Sequence, residues 1–212
     1  MTTHPLGGLE PTITDATGRL QELNRARETG LAACRSVIRA SSSAIRAVHL
    51  GQPEVVAAKT AEAHDALDVA RQALMPHPAI YHAGFFHDAA KEYVEAVATQ
   101  ALVTDVAIPG PDELGVEVPA YLNGLAEAAS ELRRHALDRL RDDGGLQRAE
   151  ELLGQMDAVF GALVVIDLPD AVTGGLRRTL DALRAVIERT RGDITNAVLQ
   201  ERLRVALERG LS

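Results

Sequence analysis

The stretch FFHDAAKEYVEAVATQ, residues 85–100, combines a helical core pattern with a concentration of acidic residues. At about 100° per residue, its apolar side chains fall on one side of a helix. The same spacing places the carboxylates of Asp88, Glu92 and Glu95 on the opposite side, with Lys91 beside them. Like charges at these spacings cost a few tenths of a kcal/mol per pair on an exposed helix. The stretch therefore predicts a helix that packs on one face and, on the other, exposes its acids to water or holds a cation.

The composition of the whole chain favours helices. Of its 212 residues, 46% are hydrophobic, but only 3% are aromatic and none is Trp. Strands prefer β-branched and aromatic side chains, so the many Ala and Leu residues predict close-packed helices. The single cysteine, Cys34, excludes an internal disulfide, and its place on an apolar stripe predicts a buried thiol.

The chain shows neither a signal-peptide pattern nor a membrane-spanning segment. Its longest purely apolar run, FGALVVI at residues 160–166, is far shorter than the roughly 20 residues that cross a bilayer. A lone cysteine also fits a reducing compartment. The sequence therefore predicts a cytoplasmic protein that does not associate with membranes.

The distribution of charge is uneven. The chain has 22 basic and 30 acidic residues, and the resulting net charge of −8 argues against nonspecific coating of nucleic acid. Arginine nevertheless outnumbers lysine, and its planar guanidinium suits phosphate and carboxylate alike. The arginines form two local clusters: Arg133, Arg134, Arg139 and Arg141, then Arg177, Arg178, Arg184, Arg189 and Arg191.

Hydrophobic periodicity predicts an all-α protein of six or seven helices in one domain over residues 1–212, with a flexible lead of about 12 residues. The first helix is expected to begin at Asp15 as N-cap and to end before Gly51. Near the end of the chain, Arg191-Gly192 is expected to close one helix, and Asp193 to cap the last.

A second pair of acids lies on the helix that begins at Val118. Glu127 and Glu131 are four positions apart, and both lie off the apolar seam of that helix. Two helices thus each offer two carboxylates, which are the hard oxygen ligands that Mg²⁺ and Mn²⁺ share with phosphate groups. On spacing alone, a solvated helix face is the commoner explanation of such pairs.

Three other kinds of site can be compared with the sequence. A ferritin-like site needs Glu-x-x-His, and no histidine here follows a Glu at that spacing. Gly174-Gly175 precedes a helix but lacks the lysine and the strand of a P-loop. An all-α nucleotide pyrophosphohydrolase pairs E-x-x-E with a later E-x-x-D. Glu92 and Glu95 fit the first motif, but Glu127 and Glu131 do not fit the second. This class of enzyme is therefore a weaker alternative.

Three segments in order, EYVEA (92–96), YLNGLAEAASELRR (121–134) and PDAVTGGLRRTLDALRAVIERTRGD (169–193), resemble the translin/Trax family, most of all its prokaryotic Trax-like members. The resemblance covers nearly the whole chain. It implies a translin-like bundle of about seven helices that assembles into a hollow homo-oligomer of six or eight copies. It also implies binding of RNA and, in some members, of single-stranded DNA.

The resemblance also implies functional residues. Trax-type subunits cut RNA with a divalent metal, and their ligands map onto Glu92, Glu95, Glu127 and Glu131 as catalytic and metal-binding residues for Mg²⁺ or Mn²⁺. The family carries Asp where Glu127 stands, and several relatives carry an acid in place of Ala120. Asp88 is expected behind the metal ligands, and contacts to nucleic acid fall on the following residues: Arg39, Arg46, His49, Arg133 and Arg134.

The resemblance thus implies an RNA-binding, metal-dependent endoribonuclease that acts on single-stranded RNA inside an oligomeric shell. Translin-type subunits bind without cutting, so a non-catalytic module for RNA or single-stranded DNA is the main alternative. The nucleotide pyrophosphohydrolase is the second.

Overall fold

The structure is a computed structural model that describes residues 8–142 and 144–210. These residues form helices joined by turns, without a strand, and the predicted all-α class is confirmed. Six helices of 18 to 41 residues carry the architecture: α1 (Leu9–His49), α2 (Pro53–Leu74), α4 (Gly84–Val103), α6 (Val118–Arg139), α7 (Leu146–Leu163) and α9 (Leu176–Gly210). Three four-residue helices lie in the connections: α3 (Pro78–Tyr81), α5 (Pro111–Leu114) and α8 (Asp170–Thr173).

The helices α1 and α2 form an antiparallel hairpin. Gly51, with φ of +64°, provides the left-handed turn between them, and Pro53 starts α2. At the far end of the hairpin, a Cβ atom on Gly30 would lie 2.6 Å from the side chain of Leu74. The two helices therefore pack closely along the length of α2.

The helices α6 and α9 run parallel. Thr179 donates a 2.7 Å hydrogen bond to Asn123, and further along both helices Arg133 donates a 3.1 Å bond to Thr190. The connection between α6 and α9 contains α7, so α7 returns antiparallel to both.

Two hydrophobic cores meet at α4 and α6. One lies between α1, α2 and the first half of α4, with Val37, Leu67 and Val94 fully buried. The other lies between α6, α7 and α9, around Leu132 and Met156. Because α4 and α6 contribute to both cores, their packed faces are fixed on both sides, and the acidic faces that remain are held at a defined position.

Two helix boundaries differ from the prediction. Helix α1 begins at Leu9, not near Asp15, which instead forms an ion pair of 2.9 Å with Arg19 in the next turn. Residues 9–12 of the expected flexible lead therefore belong to α1, while residues 1–7 lie outside the described residues.

The predicted break at Arg191-Gly192 is also wrong. Helix α9 continues through it, and Asp193 is a residue within the helix whose carboxylate binds Arg133 across to α6 at 2.9 Å. A single glycine costs about 1 kcal/mol in a helix interior, which packing and cross-helix contacts can offset.

The two ends of the bundle carry exposed apolar residues. The last turns of α9 project Leu199, Leu203 and Leu207 at four-residue spacing, each more than half exposed. The first turns of α1 likewise expose Leu9 and Ile13.

Within the described part of the chain, no helix combines the length and the apolar character that crossing a bilayer requires.

Candidate metal and nucleic-acid site

The site lies where α4 and α6 approach most closely, at Gly124. A Cβ atom on this glycine would lie 2.6 Å from the backbone oxygen of Lys91 and 2.7 Å from Cβ of Val94. Such distances are shorter than any van der Waals contact, so only glycine permits this approach. It brings Glu92 of α4 and Glu127 of α6 to the same level of the bundle.

Glu92, Glu95 and Glu127 form a cluster of three carboxylates. One oxygen of each lies within 4.8 Å of the others, and all three side chains are half-buried. Over residues 8–142 and 144–210, this is the one such grouping of His, Cys, Asp or Glu side chains. Three oxygen donors at this separation match the ligands that Mg²⁺ and Mn²⁺ prefer.

The cluster is electrostatically unfavourable when it holds no cation. Burial, followed by the charges of Glu92, Glu127 and Glu131, raises the pKa of Glu95 to about 8. Burial also raises the pKa of Glu92, and Lys91 opposes that rise. A carboxyl group that keeps its proton at neutral pH will give it up when a divalent cation binds, so the donor set fits such a cation.

Lys91 is the positive charge nearest to the cluster. Its Nζ donates a 2.8 Å hydrogen bond to Oε1 of Glu127, across from α4 to α6. Burial lowers the pKa of Lys91, but the hydrogen bond and charge of Glu127, with the charges of Glu92 and Asp88, raise it overall. Asp88 is exposed and lies on the Lys91 side of the cluster. The sequence shows that Lys91 shares a helix with Glu92 and Glu95. It does not show that Lys91 binds Glu127 on α6.

Glu131 is held apart from the other three predicted acids. Its Oε2 accepts a 2.8 Å hydrogen bond from Nε2 of His49, the last residue of α1. This bond and the charges of His49 and Arg134 lower the pKa of Glu131, although burial raises it. Glu131 remains close enough to raise the pKa values of Glu92 and Glu95 by its charge.

The ring of His135 packs against that of His49. The two ring centroids are 4.7 Å apart, and the planes are tilted by 33°. Burial, followed by the charge of His49, lowers the pKa of His135 to about 4, so this ring is neutral at physiological pH. His135 is not among the site residues predicted from the sequence. A signal existed, because His135 lies one helical turn after Glu131 on the same face of α6.

The residues predicted to contact nucleic acid occupy different environments. Arg39 and Arg46 are exposed on α1, as expected for contacts to phosphate, and Arg134 is exposed on α6. The side chain of His49 is only 2% exposed, so its ring cannot reach an RNA backbone, and the predicted direct contact is replaced by the bond to Glu131. Arg133 is engaged within the chain, by Asp193 at 2.9 Å and by Thr190 at 3.1 Å.

A polar cavity of about 380 Å³ lies beside the carboxylates, between α4, α6 and the start of α9. Lys91 and Glu127 line it on one side, and Arg178 lines it on the other. In the sequence, Arg178 is only one member of an arginine cluster; the packing of α9 against α6 is what brings it to this cavity. Glu127 is therefore the carboxylate of the cluster that lines this cavity, together with the cationic side chains of Lys91 and Arg178.

Solved structures of an Archaeoglobus C3PO are similar to this chain in sequence and fold. One, a complex with duplex RNA, is 32% identical, covers 89% of this chain and 97% of its own, and superposes with a TM-score of 0.80. A crystal structure of the same protein is 32% identical, with coverage of 89% and 98% and a TM-score of 0.81. C3PO complexes are assemblies of the translin/Trax type.

More distant comparisons agree with this fold. An apo C3PO from Nematostella is 22% identical, covers 88% of this chain and 97% of its own, and has a TM-score of 0.79. An uncharacterized protein of Methanocaldococcus jannaschii is 32% identical over 127 residues, which is 59% of this chain and 56% of that protein. The match thus spans little more than half the length of this relative. No family model matches the chain.

Proposed function

Because the chain belongs to the translin/Trax family, we propose that it is an oligomeric RNA-binding protein that cleaves single-stranded RNA at a divalent-cation site between α4 and α6. The observation that carries this proposal is the convergence of Glu92, Glu95 and Glu127 within 4.8 Å of one another. In the protein alone, the repulsion between these carboxylates and the burial of their charges are both unfavourable. A bound cation offsets both costs.

The chain's own residues have separate tasks in this proposal. Glu92, Glu95 and Glu127, with Glu131 beside them, hold Mg²⁺ or Mn²⁺ through carboxylate oxygens. When bound, such an ion lowers the pKa of a coordinated water and neutralises charge on a phosphate. Lys91 anchors Glu127 through its 2.8 Å hydrogen bond.

Exposed cations would bring RNA to the site. Arg39 and Arg46 lie two turns apart on α1, and Arg134 lies on α6 near Glu131. Guanidinium groups bind phosphate through paired N–H donors. The Archaeoglobus relative solved with duplex RNA supports RNA as the ligand class, and its assembly supports an oligomer, which we propose to contain six or eight copies.

One observation favours a second candidate, a binding module that does not cut. Lys91 already neutralises part of the acidic cluster through Glu127, so the cluster is partly compensated without a metal. A protein of this kind would bind RNA or single-stranded DNA and leave it intact.

A cleavage assay separates these candidates. We expect the wild type to cut labelled single-stranded RNA with Mn²⁺ or Mg²⁺ and to stop when EDTA is added. Glu95→Gln keeps the side-chain size but removes the charge, so its rate should fall by about 10²-fold or more while RNA binding persists. Glu150→Gln, at an exposed position of α7, is the matched control and should keep the wild-type rate.

The other outcomes of this assay are also informative. RNA that stays intact with the wild type and Mn²⁺ would leave the binding module as the function. Pyrophosphate released from nucleoside triphosphates, with RNA ignored, would instead identify a nucleotide pyrophosphohydrolase.

A further inference from the structure

His49 is a buried polar side chain that points toward the acidic site. It is the last residue of α1, its side chain is 2% exposed, and its Nε2 lies 2.8 Å from Oε2 of Glu131 on α6. A carboxylate can only accept hydrogen bonds, so Nε2 carries the proton and donates it. The bond therefore fixes which ring nitrogen faces Glu131.

The other nitrogen of this ring shows that packing alone does not explain a histidine here. Nδ1 of His49 is buried without a hydrogen-bond partner within the described structure. Burying an unsatisfied polar atom costs about 1–3 kcal/mol, whereas a phenylalanine would fill a similar volume without that penalty. The bond to Glu131 is the interaction that only the histidine supplies.

The bond also determines which oxygen of Glu131 remains available. It engages Oε2, so Oε1 is the oxygen of Glu131 that the bond to His49 leaves free. Glu131 is near enough for its charge to act on Glu92 and Glu95, yet it does not belong to the set within 4.8 Å. Its position is thus set by α1 through His49.

We propose that His49 is a positioning residue that anchors Oε2 of Glu131 and thereby presents Oε1 as a fourth ligand to a divalent cation held by Glu92, Glu95 and Glu127. This inference rests on the proposed function, since it assigns a role at the same site. The ring of His135 contacts that of His49, with centroids 4.7 Å apart, but it does not supply the hydrogen bond that holds Oε2 of Glu131. Partners of this kind, behind a metal ligand, typically change metal affinity by about 10- to 100-fold when they are removed.

The test measures Mn²⁺ binding without RNA, by electron paramagnetic resonance of the free ion. His49→Phe keeps a ring but removes the donor, and it should weaken Mn²⁺ binding by about 10-fold or more. His49→Gln offers an amide N–H in place of Nε2–H and should recover most of that loss. His135→Phe, which leaves the bond between His49 and Glu131 intact, should bind Mn²⁺ within about threefold of the wild type.

A kinetic readout separates positioning from a general structural defect. In RNA cleavage, His49→Phe should raise the Mn²⁺ concentration for half-maximal rate, and saturating Mn²⁺ should restore most of kcat. If His49→Phe folds poorly, a second comparison gives the same information. It compares the Mn²⁺ affinity of the single variant Glu131→Gln with that of the double variant that carries both Glu131→Gln and His49→Gln. Once Glu131 is no longer a charged ligand, replacing His49 should not change the Mn²⁺ affinity further.

Two failures are distinguishable. A wild type that binds Mn²⁺ while His49→Phe binds it equally well would overturn the role of His49 and leave the metal site standing. A wild type that does not bind Mn²⁺ at all would overturn the metal site itself, and the role of His49 with it.

Discussion

Glu95 has the most perturbed environment among the four predicted acids, because it is half-buried and surrounded by three other carboxylates. Burial, then the charges of Glu92, Glu127 and Glu131, raises its pKa from 4.5 to about 8. A raised pKa in the folded state means that the folded protein binds the proton more tightly than the unfolded chain does. The contribution of Glu95 to stability is thus present below pH 4.5 and lost as the pH rises through about 8.

The first prediction concerns this pH dependence in EDTA. Glu95→Gln cannot lose a proton, so its melting temperature should exceed that of the wild type by an amount that grows from pH 6 to pH 9. Mn²⁺ should reverse the order at pH 8, because it binds the wild-type carboxylate and stabilises the folded state. Thermal unfolding with and without Mn²⁺ measures both effects. A difference in melting temperature that stays constant with pH would contradict the raised pKa.

The second prediction concerns Arg39 and Arg46. Charge reversal of both to Glu should weaken RNA binding and reduce its salt dependence. Each phosphate contact that is lost lowers the number of counterions released when RNA binds. Arg177→Glu with Arg189→Glu makes the same change in net charge at exposed positions of α9 and is the matched control. Fluorescence anisotropy over a series of salt concentrations measures both quantities. Equal losses in the two double variants would show that net charge, and not these two positions, governs RNA binding.

Helical spacing alone revealed the acidic pairs but could not reveal their partners. Glu92 with Glu95, and Glu127 with Glu131, are local patterns, and the gathering of Glu92, Glu95 and Glu127 was expected from the family resemblance. The bonds from Lys91 to Glu127 and from His49 to Glu131 span 36 and 82 positions. They depend on how helices pack, which local spacing does not specify. For this reason the bond from His49 to Glu131 is absent from the prediction, in which the family resemblance places His49 against nucleic acid.

At the level of the helices, two glycines have opposite roles. A Cβ atom on Gly124 would lie 2.6 Å from the backbone of α4, whereas one on Gly192, in the interior of α9, would meet nothing within 4 Å. Gly124 is thus required by the contact of α4 with α6. Gly192 only weakens its own helix.

The third prediction uses these two positions as a matched pair. Gly124→Ala should lower the free energy of unfolding by about 1–3 kcal/mol through overpacking, and should weaken Mn²⁺ binding by separating the carboxylates of the two helices. Gly192→Ala should raise the free energy of unfolding by about 0.5–1 kcal/mol, since Ala favours the helix. Denaturant unfolding in EDTA measures both. A stabilised Gly124→Ala would mean that α4 and α6 do not pack as closely as described.

Helix boundaries were predicted well where proline or a turn-forming glycine stops the chain, as at Gly51 and Pro53. They were predicted poorly where a glycine lies in an otherwise helical segment. Arg191-Gly192 predicts a helix end, but α9 continues because Asp193 forms an ion pair with Arg133 and Ile194 is buried. Those contacts come from α6 and the core, and local propensity does not include them.

At the level of the whole molecule, the exposed apolar stripe at the end of α9 is costly for an isolated protomer. Leu199, Leu203 and Leu207 lie on one face of the helix, and nothing in the described chain covers them. The proposed oligomer gives this surface a partner, since a second copy can bury it.

The fourth prediction is that this stripe contributes to assembly. Leu203→Glu with Leu207→Glu should shift the mass measured by light scattering toward the 22.6 kDa of one chain. Val106→Glu, at an exposed apolar position just after the turn that follows α4, should leave the mass of the assembly unchanged. A wild type that already has a mass near 22.6 kDa at micromolar concentration would contradict the oligomer.

The central claim, that α4 and α6 together build a divalent-cation site, is tested most directly by anomalous diffraction from crystals soaked in Mn²⁺. The predicted result is an anomalous peak bonded to oxygens of Glu92, Glu95 and Glu127 at roughly 2.0–2.2 Å, absent from crystals of Glu95→Gln. Crystals at saturating Mn²⁺ that show no peak among these three carboxylates would contradict the claim.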